Sequence, residues 1–302
     1  MPGSVCGAQK CATKAYSLRR IFRTSKYIVL SIILAGLLTA CGTLSITYNY
    51  AERLLLWRID RYLQLTHEQE GHVKAKLADV HVWHRQTELP RYSDFLRQVQ
   101  ERWLDGIAAE EIDWTFDTFA KLRATLADYI AAPSGAFLTT IDTKQLRHLE
   151  RVVQREHRQW KARAGATPEE RAAKRAKSAI SSLRDWLGPL TKEQERLTER
   201  LVKDMTATTE DWLTYRMQRQ DEFVRLLQSR PKPVVIEHKI YEWFESARKQ
   251  NAQDSPDPAQ RWREDVKATI LAIDRTVTPR QRGHASEKLQ KLIREIQALA
   301  AG

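Results

Sequence analysis

Leu65-Thr66-His67-Glu68-Gln69 decides how this chain is read, because its pattern returns as Ile141-Asp142-Thr143-Lys144-Gln145, Leu190-Thr191-Lys192-Glu193-Gln194 and Val277-Thr278-Pro279-Arg280-Gln281. Each copy has an apolar residue, then Thr or Asp, two variable positions and Gln. That is the pattern of a helix capping box. The Thr or Asp oxygen accepts from the backbone N–H of the third helical residue, and the Gln there reaches back to the cap's own N–H. Pro279 falls at the first helical position, where a missing N–H costs nothing. Four helix starts are therefore predicted. The repeated Gln asks for more than capping, since Glu serves the box equally well and the chain is rich in Glu.

Working outward from the boxes, the composition agrees with long helices. The chain has 302 residues, of which 42% are apolar, enough for a substantial core, and only 11 are Gly and 10 Pro. The formal charge of +12 is concentrated at one end: six basic residues and no acidic one lie in the first 40, which leaves 44 basic against 38 acidic residues, or +6, in the rest. A moderate, dispersed positive charge favours anionic lipid or polysaccharide surfaces. It lacks the concentrated stripe or reading motif of a nucleic-acid binder, so no nucleic-acid partner is expected.

Taken in order, the chain begins with a polar, basic segment followed by the twelve-residue apolar run Tyr27 to Leu38. A run of that length is too short to span a bilayer and suits the core of a secretory signal. Leu38-Thr39-Ala40-Cys41 comes next. It resembles the lipobox of bacterial lipoproteins, in which small residues precede a Cys that is lipidated and becomes the new N-terminus. Cys6 and Cys11 lie upstream, so Cys41 is the single thiol of the remaining chain and has no partner for an internal disulfide. Gly42 after the Cys, by resemblance to lipoprotein sorting in enterobacteria, implies the outer membrane. A retained signal anchor is the alternative.

Tyr48 to Leu63 is amphipathic. It reads either as a helix lying on the bilayer, with Tyr50, Trp57 and Arg58 at the interface, or as the first core helix. The first box opens a helix over His67–Glu88 with Val73, Leu77 and Val80 on one face; Pro90 is expected to end it, and Tyr92 to restart a helix carrying Phe95, Val99 and Trp103. Helical spacing continues through Glu110–Ile130 until Pro133-Ser134-Gly135, an expected break. The second box starts a helix to about Arg163, and Thr167-Pro168-Glu169-Glu170 starts another, which carries the basic cluster Arg171, Lys174, Arg175 and Lys177 and closes at Gly188-Pro189. The third box opens an uninterrupted period from Lys192 to Gln228, a rod on the order of 50 Å. Arg230-Pro231-Lys232-Pro233 marks an expected subdomain boundary. A short helix, a polar linker at Asn251–Pro258 and two final helices complete the chain. No alternating β-branched run reads as a strand. The fold class is all-α, a multi-helix bundle of long antiparallel helices. The domains are a signal segment at 1–40, an anchor linker at 41–47, a main helical domain at 48–230 and a C-terminal helical subdomain at 231–302 that packs on or continues the bundle.

Chemistry is harder to find. His81 and His84 share a helix face with Glu88 one turn on, a spacing that permits a metal but is expected by chance among eight His. His67 and His72 are five apart and fall off one face, unlike the zinc-protease motif. There is no Gly-x-Ser-x-Gly elbow and no glycine-rich phosphate loop. Paired carboxylates such as Glu110/Glu111 and Glu169/Glu170 sit in first turns, where they complement the helix dipole. No catalytic residue, metal or cofactor is expected. The basic cluster at Arg171–Lys177 reads either as the wet face of its helix or as a contact for an anionic surface.

The lipobox, Tyr48–Leu63 followed by Leu65-Thr66-x-x-Gln69, and Trp83-His84-Arg85 leading into Glu88-Leu89-Pro90-x-Tyr92 resemble the helical lipoproteins of Gram-negative bacteria grouped as domain of unknown function 6279. That resemblance covers most of the chain after Cys41 and implies an all-α lipoprotein without an assigned activity. Leu65, Thr66, Gln69, Leu190, Thr191 and Gln194 also resemble the paired Leu-Thr-x-x-Gln motifs of periplasmic stress chaperones of the Spy and CpxP type, with Asp142, Gln145, Thr278 and Gln281 in degenerate copies. Together these imply a non-enzymatic envelope protein, anchored to the outer membrane through Cys41, that binds an unknown envelope protein in an interaction or chaperone-like role. The alternative is an accessory for lipopolysaccharide or peptidoglycan.

Overall fold

The computed structural model describes residues 43–165, 167–245 and 258–302. Leu38, Thr39, Ala40 and Cys41 lie outside the described residues, as does most of the expected polar linker. Among the described residues every regular element is helical: α1 (Thr43–Asn49), α2 (Ala51–Leu63), α3 (His67–Trp83), a π-helical turn (His84–Glu88), α4 (Leu89–Arg102), α5 (Ala109–Leu138), α6 (Thr143–Ala164), α7 (Pro168–Leu187), α8 (Lys192–Asp204), α9 (Thr206–Gln228), α10 (Pro233–Glu245), α11 (Pro258–Asp274) and α12 (Pro279–Ala301).

Three expected boundaries move, each for a local reason. Pro90 does not end the helix begun at His67. The π turn lets the Leu89 N–H reach the His84 carbonyl, and Pro90 then occupies the first turn of α4, where no N–H is needed. Pro133 lies inside α5 without breaking it. The ladder bond it removes is offset by packing: α5 makes its main contact with α10, and Gly135 lets the Pro233 backbone approach so closely that a Cβ there would stand 2.7 Å from its carbonyl oxygen. The rod from Lys192 to Gln228 divides at Met205. There Thr206 Oγ1 donates to the Val202 carbonyl at 3.3 Å and Thr208 Oγ1 to the Met205 carbonyl at 3.1 Å, the back-bonding that bends helices.

Arg230–Pro233 links α9 to α10 within a single compact unit, Ser45–Gly302. α10 packs on α5, and α12 on α4, so the last third is folded into the first. One core joins Leu63 of α2, Ala131 of α5, Leu146 and Val153 of α6, Val224 and Leu227 of α9, and Ile236 and Ile240 of α10. Each aliphatic side chain buried to that degree stabilises by about 2 kcal/mol. Between α4 and α12 lies a second seam with Leu292, Ile293 and Ile296 buried, closed by Gln100 Nε2 donating to the Ser286 carbonyl at 3.0 Å.

The unit has an internal repeat of arrangement. α2, α3, α4, α5 and α6 correspond to α7, α8, α9, α11 and α12: α2 packs on α3 and α6 as α7 does on α8 and α12. The halves also exchange a helix, since α4 packs on α12 and α9 packs on α6. α10 has no counterpart. The capping boxes stand at the equivalent starts of α3 and α6 in one half, and of α8 and α12 in the other.

Candidate functional site

At all four boxes the Thr or Asp side chain accepts from the N–H of the Gln three residues on, and that Gln side chain returns to the cap N–H. The boxes then meet in pairs. Gln69 Nε2 donates to Gln145 Oε1 at 3.3 Å, and Gln145 Nε2 donates back to Gln69 Oε1 at 2.7 Å. Gln194 and Gln281 do the same at 2.9 and 3.0 Å. Each Nε2 also donates to the carbonyl five residues before its partner: Gln69 to Thr140, Gln145 to Gln64, Gln194 to Thr276 and Gln281 to Pro189. Every Oε1 thus takes at least two hydrogen bonds and every Nε2 gives at least two. Glu has no Nε2 to give, which is why the box carries Gln. Leu65 packs against the main core, and Gln145, Gln194 and Gln281 are buried. Those motif residues are inside the fold, as is the Leu65 side chain in part; the pairs clamp helix starts to one another, with the capping Thr66, Asp142, Thr191 and Thr278 exposed and Gln69 half-buried.

Around the π turn a polar cluster gathers. His81 Nδ1 lies 2.6 Å from Glu52 Oε1, and the Tyr48 hydroxyl lies 3.0 Å from His84 Nδ1. Tyr48 meets the His81 ring edge-on at 4.6 Å, and His84 meets Tyr92 at 5.3 Å. Glu88 is fully buried, with one oxygen accepting from Arg91 at 2.8 Å. Burial, with His81 close by, pushes the His84 imidazole down to about 4, so it is neutral near pH 7. Burial pushes the Tyr48 hydroxyl up to about 12 against the opposing pull of Arg85. His81 and His84 therefore turn to separate partners, and among the described residues no group of three His, Cys, Asp or Glu could hold a metal ion. Sequence reasoning missed Tyr48 and Glu52, although their spacing of four residues already placed them on one helix face.

The basic cluster of α7 divides. Arg171 holds Glu210 of α9 through two bonds, at 2.7 and 3.0 Å, and Arg175 lies 3.7 Å from the same carboxylate. Lys174 and Lys177 are exposed. Two of the four expected anionic-surface residues thus serve helix pairing.

The most open apolar feature is a stripe on α1 and α2. Ile46 is 61% exposed, Tyr50 51%, Leu54 44% and Trp57 59%, at helical spacing along one side. Arg53 lies over the Tyr50 ring and Arg61 over the Trp57 ring. The opposite side of α2 carries Ile59, Tyr62 and Leu63 into the main core, and Tyr62 donates to Glu156 of α6 at 2.6 Å. The segment Tyr48–Leu63 thus contributes to the core on one side, as the first core helix is expected to, and exposes apolar side chains on the other. No helix among the described residues is long and apolar enough to cross a membrane.

Comparison with curated proteins and with solved structures returned no match. A family model does match, over residues 61–267. That span runs from the end of α2 through most of α11 and takes in both glutamine pairs except Gln281, so the chain belongs to the family of unknown function DUF6279.

Proposed function

We propose that this is a lipid-anchored protein of the bacterial envelope, held through Cys41 at the periplasmic face of the outer membrane, with a non-enzymatic role in binding another envelope component. The observation that carries this reading is the exposed stripe Ile46, Tyr50, Leu54 and Trp57, directly downstream of Cys41 in sequence. Aromatic rings that bear arginines suit the boundary between headgroups and acyl chains. A lipid on one residue holds the chain at a single point, and an apolar contact with basic neighbours adds a second attachment that sets its orientation. With the stripe on the lipid, the rest of the unit faces away from the membrane, where its role is chaperone-like or that of a docking partner.

Mass spectrometry with membrane fractionation tests the address. The wild type should begin at Cys41 and carry a diacylglycerol, and Cys41→Ala should accumulate unprocessed. A chain that keeps residues 1–40 without lipid overturns the anchor. A denatured client whose aggregation is unaffected by the protein removes the chaperone version. The second reading, an accessory for lipopolysaccharide or peptidoglycan, is supported by the exposed Lys174 and Lys177 but loses Arg171 and Arg175 to Glu210. A pull-down on those polymers that weakens with salt would favour it.

A further inference from the structure

The outer side of α6 carries five basic residues and no acidic one. Lys144, Arg147, Arg151, Arg155 and Arg158 recur at three and four, so they share one side of the helix, and all five are exposed. The row they form is about 20 Å long. The two carboxylates of α6 turn to its flanks: Glu150 accepts from Gln228 of α9 at 3.2 Å, and Glu156 from the Tyr62 hydroxyl of α2 at 2.6 Å. None of the five basic residues bonds a carboxylate among the described residues. Like charges at this spacing repel one another and weaken the helix that carries them.

The equivalent helix of the other half carries no such row. Counted from the box glutamine, the same positions of α12 are Arg280, Gly283, Glu287, Lys291 and Arg294, where a glycine and a glutamate interrupt the charge. Neither the bundle nor the capping box therefore requires the α6 row. The two helices also differ in their neighbours: α6 packs on α2, the helix of the exposed stripe, and α12 chiefly on α4. Arg61 joins the row to the stripe. Its guanidinium lies over the Trp57 ring at 5.8 Å and 3.9 Å from Glu156, and its carbonyl accepts from His148 of α6 at 3.0 Å.

We propose that the outer face of α6 is a docking surface for an anionic lipid bilayer, whose headgroup phosphates pair with Lys144, Arg147, Arg151, Arg155 and Arg158 while the stripe of α1 and α2 enters the acyl boundary beside them. This rests on the membrane contact argued above for the stripe, and adds the charge that the membrane must carry. A guanidinium takes a phosphate through two parallel bonds, and each basic residue at an anionic leaflet strengthens binding about fivefold. A soluble polyanion would match the row but leave Leu54 and Trp57 in water, whereas a bilayer satisfies both.

Flotation of the full-length Cys41→Ala protein tests it, with vesicles of phosphatidylcholine compared against an equal mixture of phosphatidylcholine and phosphatidylglycerol. That chain bears no lipid and keeps residues 1–40 in every arm, so the outcome is independent of the anchor. Adding Arg147→Gln, Arg151→Gln and Arg155→Gln together should lower the preference for the acidic vesicles about a hundredfold. The thermal midpoint should be no lower, because a repulsion has gone. Arg280→Gln, Lys291→Gln and Arg294→Gln remove the same charge from α12 and should leave the preference nearly unchanged. A preference that survives the α6 substitutions, or that the α12 substitutions lower as far, overturns the proposal. So does dextran sulfate that holds the chain more tightly than acidic vesicles do, which would assign the row to a soluble polyanion. Trp57→Ala should weaken binding to both kinds of vesicle alike; if it is silent while the α6 substitutions act, the stripe fails and the row stands.

Discussion

The two halves of the unit solve one problem twice, with different exposure. In both, two helix starts meet through a reciprocal pair of glutamines, and a chain turn in the left-handed region precedes the first box, at Gln64 (φ 51°) in one half and Gly188 (φ 79°) in the other. In the second half both amides are shut away, Gln194 at 4% and Gln281 at 6% exposure. In the first half Gln145 is as deeply buried but Gln69 is only half so. The geometry agrees: the second pair is nearly symmetric at 2.9 and 3.0 Å, the first uneven at 3.3 and 2.7 Å. The hydrogen bonds are the same in kind, so any difference in their worth comes from access to water. A buried donor left unpaired costs its full desolvation, while a half-exposed one turns to solvent.

The comparison breaks or stands most clearly on replacing Gln by Glu. Gln194→Glu removes the donor to Gln281 and to the Thr276 carbonyl and sets a buried charge against two lone pairs. A loss of about 4 kcal/mol at pH 7 is expected from urea unfolding. Gln69→Glu, beside water, should lose about 1 kcal/mol. The carboxyl introduced at position 194 has its folded pKa raised above the unfolded value, so the loss is full well above pH 4 and shrinks as the acid regains a proton and a donor. Equal losses at the two sites would show that exposure does not set the value of the pair.

A second difference between the halves lies at the far end of the helix that the first box opens. α3 runs into the π turn, where His84 is neutral and buried, and α8 has no such turn. The His84 pKa is lowered from its ordinary 6.5 to about 4 in the folded chain. Folding therefore gains nothing from its protonation while the unfolded chain binds the proton. The stability is complete above pH 6.5 and is lost progressively down to pH 4, by about 3 kcal/mol. His84→Gln should show a shallower fall over that window, read as the difference in unfolding free energy between pH 7 and 4. Parallel curves for wild type and variant would mean that His84 charges as easily folded as unfolded.

How much of this was legible in the sequence depends on whether the signal is local. The caps were, because the box lies within four residues and each copy recurs as Thr or Asp followed by Gln. The pairing was not, since Gln69 meets Gln145 and Gln194 meets Gln281 only once the helices cross, although the excess of Gln over Glu was its trace. Pro90, Pro133 and the Met205 bend were misread for a related reason. Proline reports the loss of one donor, and whether that breaks a helix is decided by what packs there: a π turn that supplies a new bond, or α10 closing on Gly135. The arginines of α7 looked like a surface because their spacing on α7 is local, while their partner Glu210 is not.

The smallest effect sharpens the comparison most finely, because the halves carry the same flaw at the same place. Gly71 follows Gln69 by two residues and Gly283 follows Gln281 by two, each inside the first turns of its helix, and around each a Cβ would meet nothing within 4 Å. Neither position has a backbone angle that needs glycine, so alanine restricts the unfolded chain without crowding the folded one. Gly71→Ala and Gly283→Ala should each stabilise by about 0.5 to 1 kcal/mol, visible as a raised midpoint in thermal unfolding. Since the gain comes from the unfolded state, it should be the same beside the half-exposed pair as beside the buried one. A gain at Gly71 with a loss at Gly283 would mean that the start of α12 is more tightly covered than the start of α3, and that burial distinguishes the halves beyond the glutamines themselves.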